Sequence, residues 1–176
     1  MIGPGSGLFL QLLLLVHLLT VVVGFGSTFV WAVLAKQASD FEPAAAAVFT
    51  QKLHRASKVL STPFIYAAGG TGLLMVLLGG DSGITFKQTW VSAGLALFAA
   101  GVLVSVFLHQ PNQNAILELQ DRLASGAHGP TDDGPPPEVA ELKERGEKAA
   151  MFGGLLHLLF LLMMIDMLWK PGSGAL

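Results

Sequence analysis

Polar positions are scarce along this chain, and they gather in a few places. Four stretches, from about Gly7 to Ala35, Val59 to Leu78, Trp90 to Leu108 and Ala149 to Trp169, are apolar with only isolated polar residues. Each is close to the ~20 residues that a helix needs to cross the hydrocarbon core of a bilayer. A helix of a water-soluble bundle keeps a polar stripe toward solvent, and these stretches have none. The pattern predicts an all-α polytopic membrane protein. It forms one membrane domain over residues 1–176, an antiparallel bundle of four transmembrane helices at about 7–35, 59–78, 90–108 and 149–169, with long connections at 36–58 and 109–148.

The connections carry structure of their own. Pro43 followed by four alanines reads as a helix N-terminus, because proline's fixed φ and missing N–H suit the first helical position. The second helix is therefore expected to begin in water and to carry Lys52, Arg55 and Lys58 before entering lipid. Asn114 to Leu123 has helical character, and Pro135, Pro136 and Pro137 precede the charged run Glu138 to Lys148. Gly126 to Gly134 between them reads as a turn-rich linker. Lys36, Lys52, Arg55 and Lys58 lie in the first connection, Arg122, Lys143, Arg145 and Lys148 in the third, and only Lys87 and Lys170 on the other side. The positive-inside rule then puts the first and third connections in the cytoplasm and both termini outside. Trp31, Trp90 and Trp169, near segment ends, fit interfacial anchoring. Nothing before Lys36 is positively charged and the first apolar run is about twice the length of a signal-peptide core, so that segment is expected to be retained.

Composition narrows the chemistry. Apolar residues make up 52% of the chain and charged ones 12%, and the mean hydropathy is +0.62, which belongs in lipid. With 10 Lys and Arg against 12 Asp and Glu there is no polyanion-binding signature, so nucleic acid is not an expected partner. The absence of cysteine excludes disulfides, thiolate metal sites, iron–sulfur clusters and covalent c-type haem attachment. Gly-rich loops of P-loop spacing, GxSxG, HExxH and paired intramembrane carboxylates are missing too.

Histidine is what remains. His17, His54, His109 and His157 stand one per helix, and His128 lies in the linker. An imidazole in hydrocarbon needs a partner. Counted from the outer helix ends, His17 lies about 15 Å below Gly7 and His157 about 18 Å below Trp169, which predicts that the two are level. Thr20, Gly24, Ser27 and Trp31 fall within about 80° of His17 on the helix wheel. On the fourth helix Gly153, Phe160 and Met164 share the side of His157, while Asp166 lies opposite, within i,i+4 reach of Lys170. The third helix carries Gly94, Gly101, Ser105 and His109 on one stripe, interrupted by Phe98, and the second carries His54, Ser61, Ala68 and Gly72. Such stripes admit either a neighbouring helix backbone or a flat macrocycle.

The sharpest reading is bis-histidine ligation of b-type haem. His17 with His157 forms an outer-half site, and His54 with His109 a second, cytoplasmic-side site, with Gly24 and Gly101 among the small residues beside the ring. In the competing reading each intramembrane histidine simply hydrogen-bonds to a serine, a threonine or a carbonyl. Copper held by His157 with Met163 or Met164 is a further alternative. A closed zinc site is not expected, because it needs four convergent ligands and the histidines divide into two levels. Lys58, one turn beyond His54, reads as a side chain reaching lipid phosphate.

The opening helix with its mid-segment His17, the run His54-Arg55-Ala56-Ser57-Lys58 leading to Ser61-Thr62-Pro63, the glycine-rich second helix and the closing Trp169-Lys170-Pro171-Gly172 together resemble a broad group of small bacterial membrane proteins. The group includes predicted integral membrane proteins of unknown function, CopD-type copper-resistance proteins and HemJ-type protoporphyrinogen oxidases. The last bind b-type haem in a four-helix membrane bundle. The resemblance implies a multi-pass protein of the bacterial inner membrane. The oxidases carry a further histidine after the first helix and an Asn-Glu-x-Pro signature on the last, where this chain has Lys36-Gln37 and His157-Leu158, so the resemblance implies haem binding rather than that reaction. The expectation is a haem-bearing protein of electron transfer or of a respiratory or photosynthetic membrane complex, with self-association into a homo-oligomer left open. The alternatives are a cofactor-free accessory subunit of a larger membrane complex and a CopD-like copper-handling protein.

Overall fold

A computed structural model describes residues 4–79, 84–125 and 137–172; His128 and the linker of Gly126 to Gly134 lie outside them. The described residues are helical and contain no strand. Helix α1 spans Pro4–Gln37, and a single 3-10 turn, Ala38–Asp40, follows it. α2 spans Pro43–Leu78, α3 Thr89–Ala124 and α4 Pro137–Trp169. All four are long and apolar enough to cross a membrane.

The prolines set these boundaries much as their chemistry dictates. Pro43 occupies the first turn of α2, as expected, and Pro137 opens α4. Pro63 lies inside α2 without ending it; a membrane helix tolerates such a residue when neighbouring groups satisfy the freed carbonyl. The third helix departs from expectation. It runs past Leu108 to Ala124 and absorbs Pro111 by widening into a π turn at Ser105–His109. Proline has no N–H to give and its ring crowds the carbonyl four residues back, and a π turn just before it relaxes both constraints. The third connection is therefore mostly helix at both ends.

The molecule is built from two hairpins. α1 packs along α2, and α3 along α4, while the extended end of α3 also packs against the first half of α2. Backbone contact between α1 and α2 is close at Gly24, where a Cβ would stand 2.8 Å from the Ile65 amide nitrogen. The ring of Phe98 on α3 lies directly on Gly69 of α2, so the bulky residue that interrupts the small stripe of α3 is seated on glycine. α1 meets α4 through rings: Phe25 stacks on Phe160 with centroids 4.2 Å apart, and Phe29 stacks on His157 at 4.2 Å.

Little is buried within the chain itself. Thr20, Ser61 and Ala68 are buried between α1 and α2, and Ala47, Asn112, Ile116 and Leu119 form a small core at the basic end. Val22, Val59, Phe107 and Leu168 are each two-thirds or more exposed. In water such a surface would drive aggregation; here it faces lipid tails. Beyond the membrane stretch, the paired charges Glu118–Arg122, Glu141–Arg145 and Glu144–Lys148 lie at i,i+4 on exposed helix faces, the arrangement expected of a solvated helix.

Candidate functional site

The structure does not bring His17 and His157 together. His17 donates from Nδ1 to the Ala68 carbonyl at 3.0 Å, with Thr71 Oγ1 at 3.1 Å from the same nitrogen, and its ring lies against Gly72. It belongs to the α1–α2 seam. His157 instead reaches Thr28 Oγ1 at 3.0 Å. The Thr28 hydroxyl donates to the Phe25 carbonyl at 2.6 Å, so His157 Nε2 is the donor to Thr28. Thr28 lies eleven residues beyond His17, about 16 Å along the same helix. Depth counted from helix ends misleads here because α1 and α4 end at different levels. His157 is twelve residues from Trp169, whereas Thr28 is twenty-one from Gly7.

Polar residues around His17 are satisfied in the same local manner. Ser27 donates to the Gly24 carbonyl at 2.9 Å, and Ser61 Oγ lies 2.7 Å from Ser27 Oγ and accepts from Trp31 Nε1 at 2.7 Å. Thr20 donates to the His17 carbonyl at 2.7 Å. Gly24, expected beside a ring, is filled by the α2 backbone.

His54 of α2 and His109 of α3 lie in the region where the extended end of α3 packs against the first half of α2, with Lys58 near His54 and His157 near His109. His54 Nε2 and His109 Nδ1 are buried and have no hydrogen-bond partner. Unpartnered buried nitrogens are uncommon enough to need a reason. His109 is also the last residue of the π turn, and such turns concentrate at functional positions. Gly101 on α3 and Gly153 and Gly154 on α4 face open space, with nothing within 4 Å of where a Cβ would stand. No group of three or more histidine or carboxylate side chains is close enough to hold a bare metal ion among the described residues.

Two features escaped the sequence. The π turn has one signal, Pro111 two residues after His109, but a proline there reads more readily as a helix end. Asp166, placed opposite the inward face of α4, is in fact only 9% exposed. A Cβ on Gly94 of α3 would stand 3.2 Å from its Oδ2. Lys170 does not pair with it, because its ammonium sits 5.4 Å over the Trp90 ring.

The family model described as predicted integral membrane protein (DUF2269) matches residues 11–171, and the chain belongs to that family. No curated protein and no solved structure matches.

Proposed function

We propose that this member of the DUF2269 family binds b-type haem through His54 and His109 and serves in electron transfer or as the haem-bearing subunit of a membrane redox complex, respiratory or photosynthetic. The observation that carries this reading is the pair of buried imidazole nitrogens, His54 Nε2 and His109 Nδ1, that lack partners within the protein. Imidazole lone pairs from two helices are the donor set that a six-coordinate haem uses; Gly101, Gly153 and Gly154 leave open faces on α3 and α4. Haem, when bound, supplies a one-electron couple. His54 on α2 and His109 on α3 would hold the iron, and the groups around the pair would tune its potential.

The pairing of His17 with His157 on one iron is set aside in this reading, since His157 bonds to Thr28, eleven residues along α1 from His17. The likeness to HemJ-type oxidases supports the ligand rather than the reaction, for Lys36-Gln37 and His157-Leu158 stand in place of the oxidase signature. With its basic connections in the cytoplasm of a bacterium, the site lies near the inner face of the membrane. A second reading, a cofactor-free accessory subunit, draws on the hydrogen bonds that His17 and His157 each make to the protein through one ring nitrogen.

The protein purified in detergent is expected to show a sharp α-band in its reduced-minus-oxidised spectrum. The band is lost in His54→Ala and His109→Ala and kept in His17→Ala. A colourless protein, with no iron by metal analysis after expression with haem precursor, sinks the reading and favours the accessory subunit; retained copper without haem favours copper handling.

A further inference from the structure

At the end of the α3–α4 hairpin opposite the basic connections, three buried polar atoms have no partner: Asp166 Oδ2, Trp90 Nε1 and Gln88 Oε1. Asp166 and Trp90 are both more than nine-tenths buried. Gln88 caps α3, Trp90 is in its first turn, and Gly94, one turn on, is the residue against which the Asp166 carboxyl lies. Met167 covers the same glycine.

The charges that would stabilise an ionised carboxylate are not in place. Lys170, just past the end of α4, is committed to the Trp90 ring, and Lys87 beside Gln88 is exposed. α1 between Gly7 and Ala35, α2 beyond Lys58 and α3 before Glu118 contain no Asp, Glu, Lys or Arg. An isolated charge in such surroundings is costly. As an acid, Asp166 gains a donor hydrogen while keeping an acceptor.

We propose that Asp166 is a proton-binding site within the membrane: a carboxyl held as the neutral acid between α3 and α4, next to the interface marked by Trp90 and Trp169. It is independent of the haem reading and uses none of the same residues.

Infrared spectra of the full-length protein in lipid vesicles test this directly. A carboxylic-acid C=O stretch is expected in wild type at neutral pH and is expected to be missing from Asp166→Asn. Because the acid form adds to hydrophobic carbodiimides, its proton passing to a carbodiimide nitrogen as the carboxyl oxygen bonds to the central carbon, dicyclohexylcarbodiimide is expected to modify Asp166 and leave Glu118, Glu141 and Glu144 unmodified. Asp166→Asn, an uncharged replacement of the same shape, is expected to melt within a few degrees of wild type. Absence of the acid band overturns the proposal, since the group is then ionised and held by Lys170 or a bound cation. A collapse of Asp166→Asn that Asp166→Gln shares and Asp166→Glu does not overturns it as well.

Discussion

Thr28 is the residue on which the position of His157 turns. Its hydroxyl spends its own proton on Phe25 and accepts from the imidazole, while the ring stacks on Phe29. Thr28→Val keeps the shape and removes the acceptor. The loss is expected to be about 1 kcal/mol, seen as a melting temperature a few degrees lower in detergent, with Thr28→Ser close to wild type. That His17 and His157 need polar partners was legible from their burial in apolar runs. The identity of those partners was not, because it depends on the stagger between α1 and α4, and no residue pattern within either helix encodes that stagger. The same limit explains Asp166. The helix wheel separated it correctly from His157, but α3 wraps the side of α4 that a single-helix view leaves to lipid.

At the scale of helices, the small-residue stripes were readable and their meaning was divided. Gly24 serves helix contact and Gly101 faces space, though the two look alike in sequence. The difference is measurable. Gly24→Leu puts a side chain into the Ile65 backbone and is expected to cost about 1–3 kcal/mol. Gly101→Ala meets nothing and is expected to be neutral or to stabilise by up to about 1 kcal/mol through helix propensity. Thermal melts of the two variants in one detergent decide it, and equal losses at both positions would contradict the packing described. Helix starts followed the prolines because Pro43 and Pro137 sit where a missing N–H is harmless. The end of α3 was hidden by the same residue type, since Pro111 falls among Gln110, Asn112 and Asn114 and its neighbourhood imitates a loop. What carries the helix through is the π turn, a backbone adjustment with no side-chain signature of its own.

For the whole molecule, four crossings followed from the length and apolarity of the runs, and so did their outward faces. How the crossings sort into pairs did not, since lipid-facing and helix-facing leucines are chemically identical. The sorting has a direct test. Two separately encoded chains, divided in the connection between Leu78 and Thr89, are expected to co-purify from membranes when expressed together. Recovery of either half alone with no trace of the other would argue against two self-consistent hairpins. The ring seam of Phe25, Phe29, His157 and Phe160 gives this partition a consequence for biogenesis. Neither hairpin borrows backbone hydrogen bonds from the other, so each can be inserted with its main chain already satisfied. What joining the hairpins adds is side-chain pairing, and His157 gains its Thr28 partner only then.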